Sequence, residues 1–121
     1  MLGTPAISYF HTDQDFNAEK MWFDLVHYDK NDAIMLCGSN HGSDKYLVDG
    51  IAQGHAYTIL SVYNDIKINN MTLRLLKLRN PWGSGGEWTG AWSDNSKLWT
   101  DDLKEKFGLT KEDDGTFFIE F

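Results

Sequence analysis

The sequence predicts an α+β fold: one mainly antiparallel sheet, one N-terminal helix and one short helix in a single domain spanning residues 1–121. Three observations lead there. Met21, Trp22, Leu25 and Val26 recur at helical spacing, with Glu19, Lys20 and Asp24 on the polar side. Residues 72–79 alternate, with Leu73, Leu75 and Leu76 as inside candidates and Arg74, Lys77 and Arg79 outside. Residues 56–63 are rich in Tyr, Thr, Ile and Val, and the Asn-marked stretch between these two segments makes them a hairpin.

Taken in order, Asp15 is a cap for a helix running from Phe16 to about Tyr28, with Phe16 and Phe23 beside the apolar stripe. Turn formers at 29–32 end it, and the apolar run 33–37 reads as a buried strand. Residues 38–50 read as a polar loop. After the hairpin, residues 81–96 are irregular and rich in Gly and Trp. Thr100 caps a short helix whose first turn carries Asp101 and Asp102, complementing the helix dipole. Leu103 and Phe107 share its face, and Gly108 closes it. Asp113-Asp114-Gly115 turns into a last strand, 116–121.

The 121 residues suffice for one core, and 41% of them are hydrophobic. A single cysteine excludes an internal disulfide or a multi-cysteine metal site and suits a reducing compartment. No run reaches the length of a membrane span, and residues 1–8 lack a secretory pattern, so a soluble intracellular, cytoplasmic setting is expected. The net charge of −7 argues against nucleic-acid binding. Nine acids and four bases fall in residues 87–121, against nine and seven before them, so the excess lies late in the chain. A solvated acidic face is its ordinary meaning.

Opposed residues of an antiparallel hairpin have sequence numbers of constant sum. A pairing of His55 with Asn80 centres the turn between Lys67 and Ile68, inside the Asn-marked stretch. His55 and Asn80 should therefore meet at the open end of the hairpin. A His beside an Asn carbonyl is the orienting pair of a Cys-His-Asn protease: the Asn fixes the tautomer and leaves the other ring nitrogen for a thiol proton. A half-exposed histidine at a strand end is the plainer reading.

Gly54-His55-Ala56-Tyr57 and Arg79-Asn80-Pro81-Trp82-Gly83 resemble the His and Asn motifs of the calpain family of cysteine proteases. The stretch Glu87-Trp88-Thr89-Gly90-Ala91-Trp92-Ser93-Asp94 and the closing Asp114-Gly115-Thr116-Phe117-Phe118 resemble the same family in the same order. The resemblance runs from about Phe16 to Phe121. It implies the second, C-terminal subdomain of a papain-like catalytic core, with His55 as general base, Asn80 as its orienter and Trp82 shielding their bond from water.

A papain-like nucleophile lies roughly 130–150 residues before its histidine. Here 54 residues precede His55. Cys37 sits in an apolar run with no base nearby in sequence and reads as a buried small hydrophobe. The family's nucleophile belongs to a preceding Cys-bearing subdomain, after a Gln of the oxyanion hole, and neither is found in this chain. The chain by itself should be inactive, needing that subdomain as partner and an extended polypeptide as substrate.

The resemblance also implies a calcium ion, with Glu87, Asp94 and Asp114 as side-chain ligands and Glu112 as a backbone-carbonyl ligand. Two features depart from the family pattern. The loop from Trp82 to Glu87 is one residue longer, and Thr116 stands where an acidic ligand is common. A weak site and a solvated acidic patch are both open. His11, His27 and His41 are scattered, which leaves zinc without a motif. Trp82, Trp88 and Trp92 would suit a sugar-binding platform, and a non-catalytic calcium- or peptide-binding module is the further alternative. Gln53 and the loop 38–50 receive no role.

Overall fold

The computed structural model describes residues 7–121; residues 1–6, most of the stretch read as lacking a secretory signal, lie outside the described residues. Helix α1 spans Ala18–Lys30. Its cap is Asn17, whose side chain accepts the Lys20 N–H at 3.0 Å, and not Asp15 as the sequence suggested. Asp13 and Phe16 instead close a turn ahead of the helix, which leaves Phe16 outside it. Trp22 and Leu25 face the core as expected, whereas Phe23 points to solvent. The helix runs through Lys30 and ends at Asn31, before Asp32 takes a left-handed backbone at φ 55°.

Four strands form the main sheet in the order β1-β4-β5-β6, every neighbour antiparallel. They are β1 (Met35–Gly38), β4 (Ala56–Ile68), β5 (Met71–Arg79) and β6 (Thr116–Glu120). Between the first two, where the sequence suggested only a polar loop over 38–50, a small hairpin forms from β2 (Leu47–Val48) and β3 (Ile51–Ala52). Strand β4 runs five residues past the expected end at Tyr63, because the turn is made by Asn69 and Asn70 and not near Lys67. Both take positive φ, 46° and 67°, which a tight two-residue hairpin turn demands and Asn tolerates. Asn64 and Asp65 form a bulge within β4, with Asp65 at φ 58°, and Leu60 forms a second irregularity.

Strand β5 buries both of its faces, and not the single inside face that the sequence suggested for Leu73, Leu75 and Leu76. Leu76 and Leu78 join Trp22, Leu25, Met35, Tyr57, Ile59 and Phe117 beneath α1. Leu73 and Leu75 join Ile66, Trp92, Trp99, Phe107 and Phe118 on the other side. Helix α2 (Asp101–Phe107) closes that second core, with Thr100 accepting the Leu103 N–H and Gly108 in the left-handed cap, as the sequence indicated. Arg79, at the end of β5, pairs with both Thr58 and Thr116 in the ladders. The sheet thereby brings the start of β4, the exit of β5 and the start of β6 to one edge of the molecule.

Candidate active site

His55 lies just before β4 and Asn80 just after β5. The His55 Nε2 and Asn80 Oδ1 are 2.9 Å apart. Asn80 is fully buried, and its carboxamide orientation is fixed by its other bonds. Its Oδ1 accepts the Trp82 backbone N–H at 3.1 Å and its Nδ2 donates to the Gly85 carbonyl at 3.1 Å. With an oxygen facing the ring, Nε2 must donate, and Nδ1 is left as the basic nitrogen. The Asn80 backbone is tied to the start of β6, its N–H donating to the Gly115 carbonyl at 2.8 Å.

The His55 backbone is held by a residue to which sequence reasoning gave no role. Ser39 Oγ accepts the His55 N–H at 3.0 Å and donates to the Ala52 carbonyl at 2.6 Å, while the Ser39 N–H donates to the His55 carbonyl at 3.0 Å. The only signal in the sequence was its place two residues past the apolar run 33–37. Two aromatic rings flank the imidazole: Trp82 with its centroid 4.3 Å away, and Tyr57 edge-on at 5.1 Å. Trp82 remains 51% exposed, so it lies between the imidazole and solvent without being buried itself.

Cys37 pairs with Tyr57 in the ladder and packs against the first core. Burial alone pushes its thiol up to about 11, so it is a thiol and not a thiolate at neutral pH.

The acidic residues gather in part. The β2–β3 turn presses on the chain at Glu87: a Cβ on Gly50 would lie 1.8 Å from the Glu87 carbonyl oxygen, and the Thr89 N–H donates to the Asp49 carbonyl. Glu87 is drawn inward, and its Oε1 is buried with no hydrogen-bond partner. Burial, with Asp113 and Asp94 alongside, pushes its carboxyl up to about 8. Asp94 is raised by burial and by the charges of Asp114 and Asp113. Asp94 and Asp114 line one cavity of about 170 Å³ together with Lys77, Thr110 and Thr116.

Asp114 Oδ1 accepts the Thr116 N–H at 2.8 Å, while the side chain of Glu112 is exposed and its carbonyl accepts the Asp114 N–H. The donors are the hard oxygens calcium takes, and the unpartnered Oε1 suits a cation. Yet among the described residues no three His, Cys, Asp or Glu side chains are gathered closely enough to hold a metal ion. Asp113, which the sequence placed only in a turn, faces Glu87 and also accepts the Gly85 N–H at 2.8 Å. The tryptophans do not form a sugar platform, since Trp92 is buried with Trp99 in the second core. No helix among the described residues is long and apolar enough to cross a membrane.

Comparison with known proteins identifies the family. A family model described as calpain family cysteine protease matches residues 2–121. The calpain-type cysteine protease ADL1 of Oryza sativa subsp. japonica is 35% identical over 107 residues, covering 87% of this chain and 5% of that protein. Calpain-B of Drosophila melanogaster is 33% identical over 83% of the chain, and human calpain-14 is 37% identical over 82%. The chain spans only 13% and 14% of those two relatives. With its motifs, its fold and a family match over nearly its full length, the chain belongs to the calpain family of cysteine proteases.

Proposed function

We propose that this chain is the C-terminal, His/Asn half of the catalytic core of a calpain-like, calcium-regulated cysteine endopeptidase. The observation that carries this reading is the 2.9 Å contact from His55 Nε2 to the Oδ1 of a fully buried Asn80, which leaves Nδ1 free. In the reaction, Nδ1 takes the proton from a cysteine thiol supplied by a partner subdomain. The resulting imidazolium stands beside the thiolate while the thiolate attacks the peptide carbonyl. Nδ1 then returns the proton to the departing amine. Asn80 keeps the Nε2–H in place through both transfers, and the tilted Trp82 ring beside the imidazole limits competition from water. The substrate is an extended polypeptide lying across the cleft between the halves.

The raised thiol of Cys37 speaks against a nucleophile within this chain. Adding the Cys-bearing half of a calpain core in trans should restore calcium-dependent cleavage of a fluorogenic peptide, abolished by His55→Ala. A well-folded pair with no turnover would leave a non-catalytic calcium- or peptide-binding module. The lone thiol suits an intracellular, reducing setting.

Calcium, when bound, would supply a positive charge that neutralises the acidic loop. Glu87, Asp94 and Asp114 would hold it by side chains and Glu112 by its carbonyl, after the loop tightens. The missing acid at Thr116 makes this a weak site. Tryptophan emission should respond at roughly millimolar calcium and lose that response in Asp94→Ala. A flat titration would remove calcium from the reading and leave the His–Asn pair untouched.

A further inference from the structure

We propose that Asp113 is a positioning residue for Asn80, acting through the peptide of Gly85. This rests on the His–Asn reading above. The Gly85 unit is gripped from two sides: its carbonyl accepts Asn80 Nδ2–H at 3.1 Å and its N–H donates to Asp113 Oδ1 at 2.8 Å. The loop that carries it, Gly83-Ser84-Gly85-Gly86, has no apolar side chain with which to anchor itself. Gly85 and Gly86 take φ of 72° and 65°, and a Cβ on Gly86 would lie 2.5 Å from Asn80 Nδ2. At Gly86 the loop backbone therefore lies directly against the Asn80 carboxamide, where a side chain could not fit. Asp113, from the turn before β6, supplies this loop with a side-chain acceptor from outside it.

What the contact controls is the direction of a carboxamide. Turned over by half a rotation, Asn80 would offer its NH2 to His55, and Nε2 could no longer donate. The ring would then carry its proton on Nδ1, the nitrogen needed as base. Two contacts resist that turn, the Trp82 N–H on Oδ1 and the Gly85 carbonyl on Nδ2. Asp113 holds the second of them in place, and its own turn runs directly into Gly115, whose carbonyl holds the Asn80 N–H.

The test uses the chain itself, 15N-labelled, with hydrogen exchange followed at the Asn80 side-chain amide and at His55 Nε2. In Asp113→Ala the Asn80 NH2 protons should exchange about tenfold faster, the scale of one lost hydrogen bond, while the Leu78 amide stays unchanged. Asp113→Asn should restore protection, since its oxygen still accepts the Gly85 N–H. Asp113→Ser, too short to reach, repeats the test if the alanine variant does not fold. Unchanged exchange in Asp113→Ala overturns the proposal, as does Asp113→Asn behaving like alanine. A His55 Nε2 proton unprotected in the unaltered chain would instead overturn the His–Asn pairing itself.

Discussion

His55 and Asn80 touch without being opposite one another in the sheet. The last rung of the β4–β5 ladder pairs Thr58 with Arg79, and three further steps along both chains set His55 across from Trp82. Asn80 meets the ring by its side chain, from a backbone that has already left the strand and bonded to Gly115. The bulges at Leu60 and at Asn64-Asp65 make this possible by placing two extra residues on β4 between the turn and the site. A regular hairpin closed at Asn69-Asn70 would have carried His55 past Asn80.

Asn80 should be the least replaceable residue at this edge. Asn80→Ala strands the Trp82 N–H and the Gly85 carbonyl and leaves a small void. The cost should be about 2–4 kcal/mol in urea denaturation, with loss of the His55 Nε2 proton signal. A loss below about 0.5 kcal/mol would mean that water replaces the carboxamide freely.

Ser39 joins three backbone groups across the turn that delivers His55. Ser39→Ala should destabilise by about 1–3 kcal/mol, because the carbonyl of buried Ala52 loses its donor and the His55 N–H its acceptor. Ser39→Thr keeps the hydroxyl and should recover most of that. Equal unfolding midpoints for Ser39→Ala and the unaltered chain would show that the serine is incidental.

Glu87 should make stability fall as pH rises. Its folded pKa, about 8, lies above the ordinary carboxyl range, so the folded state binds the proton more tightly than the unfolded one. Its contribution is fully present below the unfolded pKa and is lost as pH climbs through about 8. Asp94, also raised, acts in the same direction. After allowance for solvent screening, the change between pH 5 and pH 8 should be on the order of 1 kcal/mol and should flatten in Glu87→Gln. An identical pH profile for the two proteins would refute the assignment.

Cys37 should be chemically quiet. At pH 7.5 its alkylation by iodoacetamide should be at least about tenfold slower than that of a free thiol, because burial disfavours the thiolate. The chain alone should show no thiol-dependent peptidase turnover. Turnover that disappears in Cys37→Ala would place the nucleophile in this chain.

The α+β class, α1 and the short capped α2 were legible because each rests on local spacing or on a cap, whereas the burial of β5 on both faces was not, since the sequence suggests one inside face for Leu76 together with Leu73 and Leu75. The His55–Asn80 meeting was legible as well, although the register used to predict it was displaced: the turn lies later, and the two bulges absorb the difference. Bulges leave little mark in a single sequence, since one extra residue in a strand changes neither composition nor propensity much.

By itself, the sequence determined the family motifs, the excess of late carboxylates and the absence of a reactive cysteine context, all of which are matters of residue identity and order. Only the tertiary structure decided what holds the pair together. Ser39, Gly85 and Asp113 act through backbone groups, which every sequence contains and which gain meaning only when folding removes water from around them. The same holds for Glu87, whose shifted carboxyl comes from burial and from Asp113 and Asp94, the first brought in from the far end of the chain.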